Sequence, residues 1–135
     1  MAIVNTLQKC LESPYLFRDD AAPARVPALL KLADDRLAAA LAIQGLEKHD
    51  PADVGALAYE SMFASLRALV YVKGYREAGL KCLVLAAEQL YVRTDLLEAD
   101  HLQAFEQAQG QKLPPVEAIE AARIFGRKVR ELVGK

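Results

Sequence analysis

Along most of this chain apolar side chains recur three or four residues apart, the spacing that gives a helix one buried face. From about 26 to 47, Val26, Leu29, Leu30, Ala33, Leu37, Ala40 and Leu41 hold that register, while Lys31, Asp34, Asp35 and Arg36 fill much of the remaining surface. A long amphipathic helix is predicted there. The segment 3–11 is a shorter candidate, with Ile3, Leu7 and Cys10 or Leu11 on one side. Ser13-Pro14 interrupts it, and Asp19 to Pro27 reads as a loop.

Asp50-Pro51-Ala52-Asp53 is a start signal. Asp50 can cap free amides, Pro51 suits the first helical position, and Asp53 complements the positive end of the dipole. The helix that follows, 51 to about 73, is apolar nearly all round and belongs at the centre of a bundle. Its stripe of small residues, Ala58, Ser61, Ser65, Ala68 and Val72, suits close approach by a neighbouring helix. Gly74 is a natural breaker. Further helices are predicted over 76–93, 96–109 and 115–132, the last opened by Pro114-Pro115 and Glu117. No convincing period-two alternation is visible, so no strand is predicted, and no repeat or low-complexity linker divides the chain. The expected fold is all-α, an antiparallel up-and-down bundle of four main helices plus one or two short ones.

Length and composition narrow this only slightly. The chain has 135 residues, 53% hydrophobic, which is enough to bury a core in one domain. Seventeen basic residues against eighteen acidic give a net charge of −1, without the basic excess of a general nucleic-acid binder. The average hides a local pattern. Arg123, Arg127, Lys128, Arg130 and Lys135 crowd the last stretch, preceded by acidic Asp95, Glu98 and Asp100. Those cations either complement the dipole of the last helix or face phosphate or a partner protein.

The longest uncharged run, Leu37 to Leu46, is ten residues, half of the roughly 20 needed to cross a bilayer. No membrane span is expected, and the N-terminal residues lack the pattern of a secretory signal. Cys10 and Cys82 form no CxxC pair. They are expected to be buried reduced thiols in a cytoplasmic protein; one bridge between them would need a proximity that spacing does not establish. His49 and His101 each neighbour an aspartate and suit surface or capping roles. Neither has metal-ligand spacing, and no cofactor motif is present, so neither metal nor cofactor is expected.

The chemistry gathers between positions 58 and 81. At about 100° per residue, Glu60, Arg67 and Tyr71 fall in one narrow arc of the central helix. Gly74 then delivers Tyr75 and Arg76 near the end of that arc, with Lys73 and Lys81 adding positive charge. The guanidinium fork suits phosphate oxygens, and Tyr75 can stack on a base. The alternative is structural: Arg67 pairs with Glu60, and Arg76 is a solvated residue at a helix start.

This layout resembles the HEPN (higher eukaryotes and prokaryotes nucleotide-binding) domain over roughly residues 23–132. The residues that carry the likeness are Ala58-Tyr59, Phe63, Leu66-Arg67-Ala68-Leu69 and the turn Gly74-Tyr75-Arg76, after a long first bundle helix. Asn5-Thr6-Leu7 to Leu16-Phe17 fits members with an N-terminal extension, here residues 1–22. The resemblance implies a homodimeric bundle, often beside a nucleotidyltransferase partner. Many members are metal-independent ribonucleases, some of them toxins of toxin–antitoxin pairs, that use an arginine followed four to six residues later by histidine. Arg76 is similar to that arginine, but Leu80, Lys81 and Cys82 stand where the histidine falls. Proton transfer near neutral pH is histidine's usual province, so catalysis is not the leading expectation. That expectation is a binder of nucleotide, RNA or a nucleotidyltransferase-type partner, with Arg76, Arg67, Tyr75, Glu60, Lys73 and Lys81 as ligand-contact candidates. A divergent ribonuclease and a purely structural dimerising bundle are the alternatives.

Overall fold

The computed structural model describes residues 6–134; Ile3 and Asn5, counted above in the first helix and the N-terminal extension, lie outside the described residues. The architecture is a mostly α-helical bundle with one very small sheet. In chain order the elements are α1 (Leu7–Leu11), β1 (Leu16–Arg18), α2 (Val26–Gln44), α3 (Pro51–Tyr71), β2 (Tyr75–Glu77), α4 (Leu80–Ala87), α5 (Ala99–Gln109) and α6 (Pro115–Val133). A 3-10 turn, Ala22–Arg25, leads into α2, and a π-helical turn, Glu88–Val92, extends α4.

The central place of α3 follows from its apolar circumference. It packs against α2, α4, α5 and α6, and Val54, Ala58, Met62, Leu66, Leu69 and Val70 are completely buried. Each such medium or large side chain contributes roughly 1.5–3 kcal/mol through removal from water. The Asp50 side chain accepts from the Ala52 amide at 2.9 Å, with Pro51 in the first turn, as the start signal predicts. Small residues let neighbours close in: Ser61 is buried and donates its hydroxyl proton to the Ala33 carbonyl at 2.7 Å. Tyr59, Phe63 and Phe105 complete the α3–α5 contact, with Tyr59 stacked on Phe105 at 5.1 Å between centroids.

Helix boundaries differ from the periodicity in one informative place. The expected helix 76–93 begins only at Leu80, because Tyr75–Glu77 pair antiparallel with Leu16–Arg18. Three-residue strands are too short to show alternation, so a sheet absent from the expected fold is present. Gly74 supplies the reversal: its φ of +83° is costly for any residue with a Cβ, and its carbonyl accepts from the Asp19 amide at 2.8 Å. The 96–109 helix starts later, at Ala99, after Asp95 with φ +61°.

The expectation of two reduced thiols is also corrected. Cys10 and Cys82 are joined by a disulfide, with Cα atoms 5.7 Å apart. The ribbon explains the proximity. Leu16 is opposite Glu77, so the chain before Leu16 and the chain after Glu77 run side by side. Cys10 and Cys82 lie at nearly equal distances along those two paths, on α1 and α4. The expected cytoplasmic location loses the support it drew from reduced cysteines, since disulfides persist mainly in oxidising compartments. No helix among the described residues is long and apolar enough to cross a membrane.

Candidate functional site

Arg67 and Tyr71 project from one face of α3 towards β2, one helical turn apart. Both reach Glu77. Arg67 Nε donates to Glu77 Oε2 at 3.0 Å, and the Tyr71 hydroxyl donates to Oε1 at 2.5 Å. The Glu77 side chain is only 6% exposed, so the carboxylate is desolvated and its two oxygens are satisfied by two charged or polar partners. The Arg67 guanidinium also lies 4.3 Å from the centroid of the Phe63 ring, a cation–π contact. Burial, followed by the hydrogen bond to Glu77 and its charge, pushes the Tyr71 hydroxyl up to about 12; Arg67 and Arg76 oppose the shift. Tyr71 therefore stays protonated and acts as a donor.

Glu60 does not join them. It lies seven residues before Arg67, about 10 Å along the helix axis, and pairs instead with Arg36 of α2 at 3.0 Å, both side chains being about half exposed. The pairing of Arg67 with Glu60 expected in the structural alternative is thus replaced by Arg67–Glu77. That alternative also made Arg76 a helix-start residue, whereas it is the middle residue of β2.

Arg76 is opposite Phe17 in the ribbon, and directly opposed residues share a face. Its Nη1 is 3.7 Å from Asp19 Oδ2, and its side chain is partly exposed. Phe17 is 42% exposed and Tyr15 50% exposed, with the Tyr15 ring over Gly79. Tyr75 is opposite Arg18, which donates to the tyrosine hydroxyl at 3.3 Å and places its guanidinium 5.2 Å from the ring centroid. The outer side of this ribbon therefore carries Phe17 beside Arg76, with exposed Tyr15 two residues before Phe17, while Arg18 and Tyr75 share the opposite face with buried Leu16 and Glu77. Lys73 is exposed near the ribbon's edge, its ammonium 5.8 Å from the Tyr91 ring. Lys81 is elsewhere, lining an open cleft with Val84, Glu88 and Glu106.

Sequence reasoning missed Tyr15, Phe17 and Arg18, because their grouping with Arg76 requires the ribbon. It included Glu77 in the relevant stretch without assigning it a partner. The histidines stand apart from this surface. His49 Nδ1 is 2.8 Å from the Leu46 carbonyl oxygen, a turn-closing contact consistent with its expected surface role. His101 differs from expectation: it is half-buried, with its ring stacked at 5.7 Å on Phe125, and burial lowers its pKa.

Among the described residues, no group of three or more His, Cys, Asp or Glu is placed to hold a metal ion. Four and six residues after Arg76, Leu80 has no titratable group and Cys82 is held in the disulfide. The surface can stack planar groups and attract anions, while the Arg67–Glu77–Tyr71 cluster fastens the ribbon to α3. No protein-family model, curated protein or solved structure matches this chain.

Proposed function

We propose that this chain is a HEPN-like helical module that binds single-stranded RNA or a nucleotide on the outer side of its two-stranded ribbon, without cleaving it. The observation that carries this reading is the cross-strand pairing of Phe17 with Arg76, next to exposed Tyr15 on the same face. Aromatic rings supply sequence-tolerant stacking, worth about 1–3 kcal/mol per base, and arginine supplies phosphate contacts. Arg67 serves this reading indirectly, by holding Glu77 and hence β2 in place. The near-neutral net charge is compatible with a small local site and disfavours a long electrostatic track.

Fluorescence anisotropy with labelled short RNAs, and competition by free nucleotides, tests the reading. Arg76→Ala and Phe17→Ala should each weaken binding at least fivefold while leaving the helical circular dichroism unchanged. Equal affinity in the wild type and both variants, or no binding of any oligonucleotide or nucleotide, overturns it. Intact RNA after prolonged incubation is expected; cleavage in the presence of chelator that is lost in Arg76→Ala would instead establish the ribonuclease reading.

A second reading is self-association through the C-terminal end of α2 and the turn that follows it. Leu41 and Leu46 are 49% and 57% exposed within a stretch that carries no charge from Leu37 to Leu46. Such a face suits a two-fold contact between copies. It predicts a dimer in light scattering that Leu41→Glu converts to a monomer.

A further inference from the structure

Two helices line a cleft of about 250 Å³ on another side of the bundle, with α3 as its floor. From α2 come Leu30, Ala33 and Leu37, apolar and at helical spacing, and Asp34, whose carboxylate is taken up by Arg130. From α6 come Arg123, Gly126, Arg127 and Arg130, which fall on one stripe of that helix. The floor holds Ser61 and Ser65. Ser61 is satisfied by the Ala33 carbonyl. Ser65 is completely buried, and its hydroxyl has no hydrogen-bond partner in the structure. A buried hydroxyl left unpaired is destabilising, and a ligand atom in the cleft would relieve it.

The charges at the rim are unequally committed. Arg130 is engaged by Asp34 and by the Leu30 carbonyl, closing one end of the cleft. Arg123 is paired with Glu120. Arg127 makes no ion pair among the described residues, although it lines the same cleft. Gly126 leaves the space above Ser65 open: a Cβ there would stand 3.7 Å from Ser65 Oγ, an ordinary contact. Packing therefore does not demand glycine at this helix-interior position, where glycine is less favourable than alanine.

We infer that this cleft binds a small organic oxyanion, with its charged head between Arg127 and the Ser65 hydroxyl and its apolar part along Leu30 and Leu37. A guanidinium and a hydroxyl donor suit a carboxylate or a phosphate equally, and the volume admits only a compact molecule. The site is separate from the ribbon and does not depend on RNA binding there.

Isothermal titration of the full chain with butyrate and, separately, with inorganic phosphate tests this. Saturable one-to-one binding of either supports the site. Butyrate alone points to monocarboxylates, phosphate alone to phosphorylated ligands. Arg127→Gln should weaken the binding at least fivefold. Gly126→Ala, whose methyl group occupies the opening, should weaken it at least fivefold without lowering the thermal midpoint. Arg76→Ala should leave it within twofold. No saturable binding of either anion overturns the inference, as does a loss smaller than fivefold in Arg127→Gln or Gly126→Ala.

Discussion

Arg67 and Glu77 are joined at 3.0 Å across a helix end, a glycine turn and the start of a strand. The pair makes a side chain on the central helix responsible for the position of the ribbon. Replacing Arg67 by Met keeps much of the stem's packing on Phe63 but leaves the nearly buried Glu77 carboxylate with Tyr71 alone. Loss of a hydrogen bond to a charged group of this kind costs about 2 kcal/mol. Glu60→Gln breaks only the half-exposed pair with Arg36 and should change stability by less than about 1 kcal/mol. Urea unfolding of both variants checks the contrast; equal effects would remove Glu77 as the anchor of β2.

The contrast also shows what sequence could carry. Arg67 and Tyr71 shared an arc because helical geometry is local and repeats every turn. Glu60 belonged to the same arc, yet its partner was decided by how α2 lies against α3. The long helices were legible because their apolar spacing, Asp50 cap and Pro-rich start signals act within a few residues of chain. The ribbon was not. Its two strands are three residues each, and their pairing joins positions about sixty apart. Everything that depends on it was equally hidden: the partner of Arg76, the surface made with Phe17, and the approach of Cys10 to Cys82.

Tyr71 and Tyr91 make alkaline stability a readout of the core. Both hydroxyls are pushed up to about 12, Tyr71 first by burial and then by Glu77, Tyr91 by burial. An unfolded tyrosine titrates near 10, so the folded state holds these protons more tightly. Their contribution is complete below about pH 10 and is lost as pH rises through about 12. Unfolding free energy measured from pH 9 to 12 should fall steadily. In Tyr71→Phe and Tyr91→Phe the fall should be shallower, because each removes one such proton. An unchanged slope in both variants would dissociate these hydroxyls from the alkaline transition.

His101 gives the opposite sign at the acid side. Burial against Phe125 lowers its pKa below the ordinary 6.5, with Lys128 acting in the same direction and Glu98 and Asp100 against it. The folded state therefore favours the neutral ring. The contribution of His101 is complete above pH 6.5 and declines as pH falls through the lowered folded value. Proton NMR of the His101 ring should give a midpoint below 6.5. His101→Phe should flatten the loss of stability between pH 7 and 5, and a His101 midpoint above 6.5 would contradict its burial.

The disulfide should be among the larger single contributions to stability. It links residues 72 apart, and closing a loop of that size in the unfolded chain is worth about 4 kcal/mol in the chain-entropy account. Replacing both Cys10 and Cys82 with Ala should lower the urea midpoint markedly and make it indifferent to reductant. In the wild type, reductant should lower the midpoint towards that of the variant. Thiol titration in denaturant without reductant should find no free thiol; two free thiols would show the bridge absent in solution.

Two glycine substitutions should move stability in opposite directions for reasons that owe nothing to space. No atom lies within 4 Å of a Cβ built at Gly74 or at Gly55. At Gly74, however, φ is +83°, so alanine there should cost about 1–2 kcal/mol through backbone strain alone. Because that turn aims Tyr75 and Arg76, Gly74→Ala should also weaken any ligand held by the ribbon. Gly55 lies inside α3, and alanine should stabilise the helix there by up to about 1 kcal/mol. Thermal unfolding of the two single variants decides the matter: a destabilised Gly55→Ala, or an unaffected Gly74→Ala, would contradict this account.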